Sequence, residues 1–148
     1  MKRSATVFLA TAALLAGLGC RSKADPVQEI RDTLSKAVAA VEAGDAAGAT
    51  AILDDRYQGP EGLDKAGTRF LLMQILKQGK VSVRILSQDV GLNGADAFEK
   101  VQVLATQQGT GILPDASRKV YILHWVKRGS DWKVADLQDF TAGAEPAR

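Results

Sequence analysis

Tyr121-Ile122-Leu123-His124-Trp125-Val126-Lys127-Arg128-Gly129-Ser130-Asp131-Trp132-Lys133-Val134 is the stretch on which the fold turns. Both flanks are rich in the β-branched and aromatic residues that suit a pleated, half-buried surface, and Arg128 to Asp131 supplies a tight turn between them. The spacing predicts a hairpin of strands over Val120 to Lys127 and Trp132 to Phe140. Upstream the same texture continues. Val81, Val83 and Ile85 alternate with Ser82 and Arg84, Asn93-Gly94 marks a turn, and Val101 and Val103 alternate with Lys100 and Gln102 within Phe98 to Thr106. Gly109 to Asp115 forms the longest loop. The C-terminal half is therefore expected to hold four antiparallel strands.

The N-terminal half changes period from two to about 3.6. Asp25-Pro26 opens a helix, since aspartate accepts from free first-turn amides and proline fits the first helical position. Gln28 stands at capping-box spacing, and Val27, Ile30, Leu34, Val38 and Val41 share one face. Gly44 ends this helix, and Asp45 caps a shorter second one in which Ile52 and Leu53 are buried. Asp54 to Gly62, with two glycines and a proline, is expected to be a break. A third helix is expected from Leu63 to Gln78, its broad apolar surface implying burial on more than one side. Three helices followed by four strands make an α+β fold, with one face of the sheet covered by the helices.

Upstream of the domain, the basic start Met1-Lys2-Arg3 precedes an apolar run from Ala5 to Gly19 and then Cys20. About fifteen apolar residues fall short of the near twenty needed to cross a bilayer, but suit the apolar region of an export signal. Ala16-Gly17-Leu18-Gly19-Cys20 resembles the lipobox of bacterial lipoproteins, although Gly17 stands where that pattern prefers leucine. The resemblance implies a signal peptide over 1–19, lipidation of Cys20, and a tether over 20–25. Arg21 and Ser22 in place of an aspartate imply the outer membrane, facing the periplasm. Residues 26–140 form the domain and 141–148 a flexible tail.

Removing Lys2 and Arg3 takes the 19 basic residues to 17, matching the 17 acidic ones. A neutral mature chain without a basic stripe excludes nucleic acid as the expected partner. The single cysteine leaves no thiol for a disulfide once it carries lipid.

The order of elements, together with the Tyr121 to Val134 ending and an opening of Val41-Glu42-Ala43-Gly44-Asp45 and Leu53-Asp54-Asp55-Arg56-Tyr57, resembles the nuclear transport factor 2-like superfamily, including its SnoaL-like and cystatin-like members. It implies a cone of curved sheet wrapped on helices over residues 26–140. That superfamily hosts isomerases, hydrolases, scaffolds and binding domains, so it implies no single activity.

The chemistry legible in the residues is sparse. One histidine makes a zinc site improbable, no nucleophile elbow is present, and the glycines near Gly109 lack phosphate-loop spacing, so neither metal nor cofactor is expected. His124 shares one strand face with Val120, Ile122 and Val126, while Tyr121, Leu123 and Trp125 share the other. Both faces are apolar, and either can be core. A ketosteroid-isomerase-like or polyketide-cyclase-like enzyme is one alternative, but that resemblance would require a tyrosine on the first helix, and residues 26–43 contain none. The favoured expectation is a non-catalytic binding domain, with no catalytic residue assigned and a candidate pocket of Tyr57, Arg69, Phe70, Met73 and His124. It would receive a small apolar ligand or an envelope protein. The other alternative is a dimerising or assembly module, a homodimer through the outer sheet face with Tyr121 or Trp125 exposed.

Overall fold

The computed structural model describes residues 23–108 and 117–140. The expected signal peptide, Cys20, the loop at 109–115 and the tail lie outside the described residues, except that the tether's last residues, 23–25, fall within them.

Helix α1 spans Pro26–Glu42, capped as expected by Asp25, whose side chain accepts from the Val27 amide at 3.0 Å. Gln28 donates to Asp32 one turn on, at 2.8 Å, and does not complete a capping box. Ile30 and Ala37 are buried on the predicted apolar face. A short α2, Ala46–Thr50, is capped by Asp45 through the Gly48 amide. Leu53–Gln58 then forms β1, and α3 spans Lys65–Gln78, capped by Asp64 through the Gly67 amide. Strands β2 (Val81–Asn93), β3 (Asp96–Gln107), β4 (Ser117–Arg128) and β5 (Asp131–Asp139) complete the chain. Both β2–β3 and β4–β5 turn through two residues led by a glycine at positive φ, Gly94 and Gly129. A two-residue hairpin turn with this backbone favours glycine at its first position.

The sheet order is β1-β5-β4-β3-β2, with β1 parallel to β5 and every other pair antiparallel. This corrects the expected four-stranded antiparallel sheet, for the stretch read as a break is a fifth strand. Its sequence hides it because Asp54, Asp55 and Arg56 are consecutive charged residues. Tertiary partners make the strand possible. Asp54 is buried with its carboxylate accepting from Arg128 Nε at 2.7 Å, while Leu53 and Tyr57 enter the core.

Register shifts between Ile85 and Ser87 in β2 and between His124 and Trp125 in β4 interrupt the ladders. Such bulges bend a strand and increase its twist, here curving the sheet around α1. The core gathers Ile30, Leu53, Tyr57, Val101, Leu123, Trp125, Trp132 and Val134 between α1 and the concave face. Glu29 fastens α1 to the β4–β5 hairpin, accepting from Lys127 Nζ at 2.8 Å and Trp132 Nε1 at 3.0 Å. Contrary to the expectation for α3, none of its residues is fully buried, and Phe70 is 59% exposed. It lies over the sheet as a cover.

Candidate functional site

Alternation along β3 and β4 decides which side chains face inward. Val101, Val103 and Ala105 of β3 and Tyr121 and Leu123 of β4 line a cavity of about 310 Å³. Leu34, Val38 and Val41 of α1 close it from one side, and Leu72 and Ile75 of α3 from another. The helical turns make this possible: positions 34, 38 and 41 fall on one stripe of α1, and positions 72 and 75 on the inward stripe of α3. Among the described residues of the lining, those with polar side-chain ends are Lys119 and Tyr121, both on β4. Burial pushes the Tyr121 phenol up to about 12, with the nearby Asp139 carboxylate adding to the rise. It is therefore a protonated hydrogen-bond donor throughout the neutral range.

The five residues expected to form one pocket stand in three places. Arg69, Phe70 and Met73 are together, but in an outer groove of about 640 Å³ between α2 and α3, also lined by Ala47, Asp55 and Lys65. Phe70 and Met73 point away from the interior because the turns that bring Leu72 and Ile75 inward carry positions 70 and 73 outward. Tyr57 is packed in the core, where burial pushes its phenol up. His124 lies on the outer sheet face, stacked on Phe98 at 4.7 Å between ring centroids, with Nε2 3.2 Å from Asp96.

The expected outer patch at Tyr121 or Trp125 is likewise corrected, since both face inward and Trp125 is 0% exposed. Phe98, at 48% exposure, is the outward aromatic of that region.

Glu99 is the residue that sequence reasoning missed. It is 0% exposed, accepting from Gln88 Nε2 at 2.8 Å and from Trp125 Nε1 at 2.9 Å. Burial raises its pKa against the opposing pull of those two hydrogen bonds. The signal was present in the two-residue period, because Glu99 falls on the same face of β3 as Val101 and Val103. Glu99 does not line the cavity, and both its oxygens are occupied. The arrangement makes it a structural acceptor for the buried indole.

The other buried carboxylate, Asp54, is held below its ordinary pKa by the hydrogen bond from Arg128 and then by the Arg56 amide. A carboxylate so stabilised is a poor proton acceptor. Among the described residues no group of three or more metal-ligating side chains converges.

A hexachlorocyclohexane dehydrochlorinase (LinA, type 2) superposes with a TM-score of 0.65 at 16% identity, over 79% of this chain and 85% of that one. A nuclear transport factor 2-like protein with a cystatin-like fold from Novosphingobium aromaticivorans gives 0.64 at 12% identity, over 80% and 84%. The fold is nuclear transport factor 2-like. Bd1075 of Bdellovibrio bacteriovorus also carries it, with a TM-score of 0.67 at 11% identity over 78% of this chain, which spans only 41% of that protein. No protein-family model and no curated protein sequence matches the chain. At these identities the likeness extends to the fold alone. Enzymes and proteins of unknown function share this nuclear transport factor 2-like architecture.

Proposed function

We propose that this protein is a lipid-anchored, periplasm-facing binding domain whose interior cavity receives a small apolar molecule. The observation that carries the reading is the cavity of about 310 Å³ between α1, α3 and the concave sheet face, lined by aliphatic side chains with two polar ends on β4. Its volume is at the lower end of the roughly 300–1,000 Å³ of small-molecule sites, and an aliphatic lining with few polar groups is their usual composition. Water gains few hydrogen bonds in such a space, so an apolar occupant displaces it favourably. The anchor at Cys20 would hold the cavity beside a bilayer, where apolar molecules are concentrated.

Binding of 1-octanol tests the reading. It should raise the thermal midpoint of the domain progressively, and Val103→Trp, which places an indole in the cavity, should abolish the increase while leaving the protein folded. An absent response in the unaltered protein, or an equal response in the filled variant, would overturn it.

A further inference from the structure

We propose that the interior cavity selects an amphiphile with one acidic head, of the class of medium-chain carboxylates, and that Lys119 and Tyr121 receive that head. The inference rests on the apolar-ligand reading above and adds the chemistry of the ligand's polar end.

Size limits the tail. A cavity of about 310 Å³ is on the order of ten water volumes at ~30 Å³ each, room for about ten non-hydrogen atoms. Polarity decides the head. Lys119 and Tyr121 lie two residues apart on β4, so they project from the same face of the strand and contribute their polar ends to one region of the wall. Val103, beside Lys119 on β3, and Leu72 and Ile75 of α3 offer no polar side chain. Among the described residues of the wall, β4 is where a ligand's polar group finds partners.

Both wall groups are donors. An ammonium donates and never accepts, and a phenol that stays protonated in the neutral range has a proton to donate. Among the described residues the acid at this end is Asp139, whose carboxylate stands 3.7 Å from Lys119 Nζ, with each side chain about one-third exposed. At that separation and exposure an ion pair is weak and its ammonium is readily shared. Two donors facing one acceptor favour an incoming carboxylate over an incoming ammonium. The carboxylate would accept from the Tyr121 hydroxyl and from Lys119, forming charge-assisted hydrogen bonds in a partly desolvated wall.

Titration of the full domain with octanoate, 1-octanol and octylammonium, read by calorimetry, separates the tail from the head. Octanoate should bind at least about tenfold tighter than octylammonium. Lys119→Met should weaken octanoate about tenfold and leave 1-octanol within about twofold, as expected for loss of a hydrogen bond to a charged group. Tyr121→Phe provides an independent variant of nearly unchanged volume, expected to weaken octanoate severalfold. Asp139→Asn should tighten octanoate by removing a like charge. Octylammonium binding as tightly as octanoate, or octanoate indifferent to both β4 variants while 1-octanol still binds, would overturn the head assignment and leave the apolar cavity standing. Binding of none of the three would overturn the cavity reading itself.

Discussion

Glu99 carries a carboxylate into the interior for the sake of an indole. Trp125, 0% exposed, needs an acceptor for its N–H, and Glu99 supplies one oxygen while Gln88 engages the other. Because burial raises its pKa, the folded chain holds the Glu99 proton more tightly than the unfolded chain. Stability from this group is therefore full below its ordinary value of 4.5 and is lost as pH rises through the elevated folded value. Glu99→Gln keeps an acceptor for Trp125, and the Gln88 amide can turn to complement it. The variant's thermal midpoint, measured relative to the unaltered protein, should rise as pH increases from about 4 to 7, near and above the ordinary glutamate range. A difference independent of pH would show that Glu99 is ionised at no cost. Asp54, Glu29 and Glu42 shift the other way, held low chiefly by Arg128, Lys127 and the Val83 amide, so their contributions are lost as pH falls. Comparing variant with parent at each pH isolates Glu99 from them.

At the scale of elements, α3 shows how a helix can look like core and be a cover. Its run Phe70-Leu71-Leu72-Met73 and the following Ile75-Leu76 spread apolar residues around the cylinder, and only the inward stripe meets the cavity. Met73 is left 38% exposed. What fixes α3 in place is its C-terminal end. Gln107 of β3 donates its side-chain amide to the Ile75 carbonyl at 2.8 Å, satisfying one of the acceptors a helix leaves unpaired there. Immediately after, the backbone passes so close to β3 that a Cβ on Gly79 would collide with the Gln108 carbonyl. Gly79→Ala should force α3 away from the sheet and cost about 2 kcal/mol, within the range for overpacked sites. Denaturant unfolding measures the loss, and an unchanged midpoint would mean the helix end shifts freely. The α3 helix and its stop at Gly79 were legible in the sequence, whereas its cap at Asp64 was not, because the expected start at Leu63 ran past it. Which of its faces meets the sheet was not, since amphipathic contrast around it is low.

For the molecule as a whole, the proposed tether sets the working distance. Six residues from Cys20 to Asp25 reach at most about 20 Å when extended, at roughly 3.3–3.6 Å each. The domain would thus operate close to the bilayer surface. Among the described residues no helix is long and apolar enough to cross a membrane. Attachment in this proposal is through Cys20. Cells grown with a labelled fatty acid should yield labelled protein, and Cys20→Ser should abolish the label and release the domain from the membrane fraction. Label retained in that variant would refute the anchor at this position.

Local signals determined much of this protein. The caps at Asp25 and Asp45, the turns at Gly94 and Gly129, and the two-residue alternation of the strands are encoded within a few residues of where they act, and each appears where the sequence placed it. The α+β class follows from their order. Tertiary structure alone decided three further matters. It turned the charged segment from Asp54 to Arg56 into a strand, because Arg128 lies 74 positions away and only folding brings it to Asp54. It chose the core face of β4, where both faces are apolar and only packing of Leu123 and Trp125 into the core with Ile30 of α1 distinguishes them. It separated Phe70 and Met73 from the interior and put Lys119 and Tyr121 there instead. The physical reason is common to all three: hydrogen bonds and periodicity act over short sequence separations, whereas burial is a property of surfaces that meet only when distant segments pack.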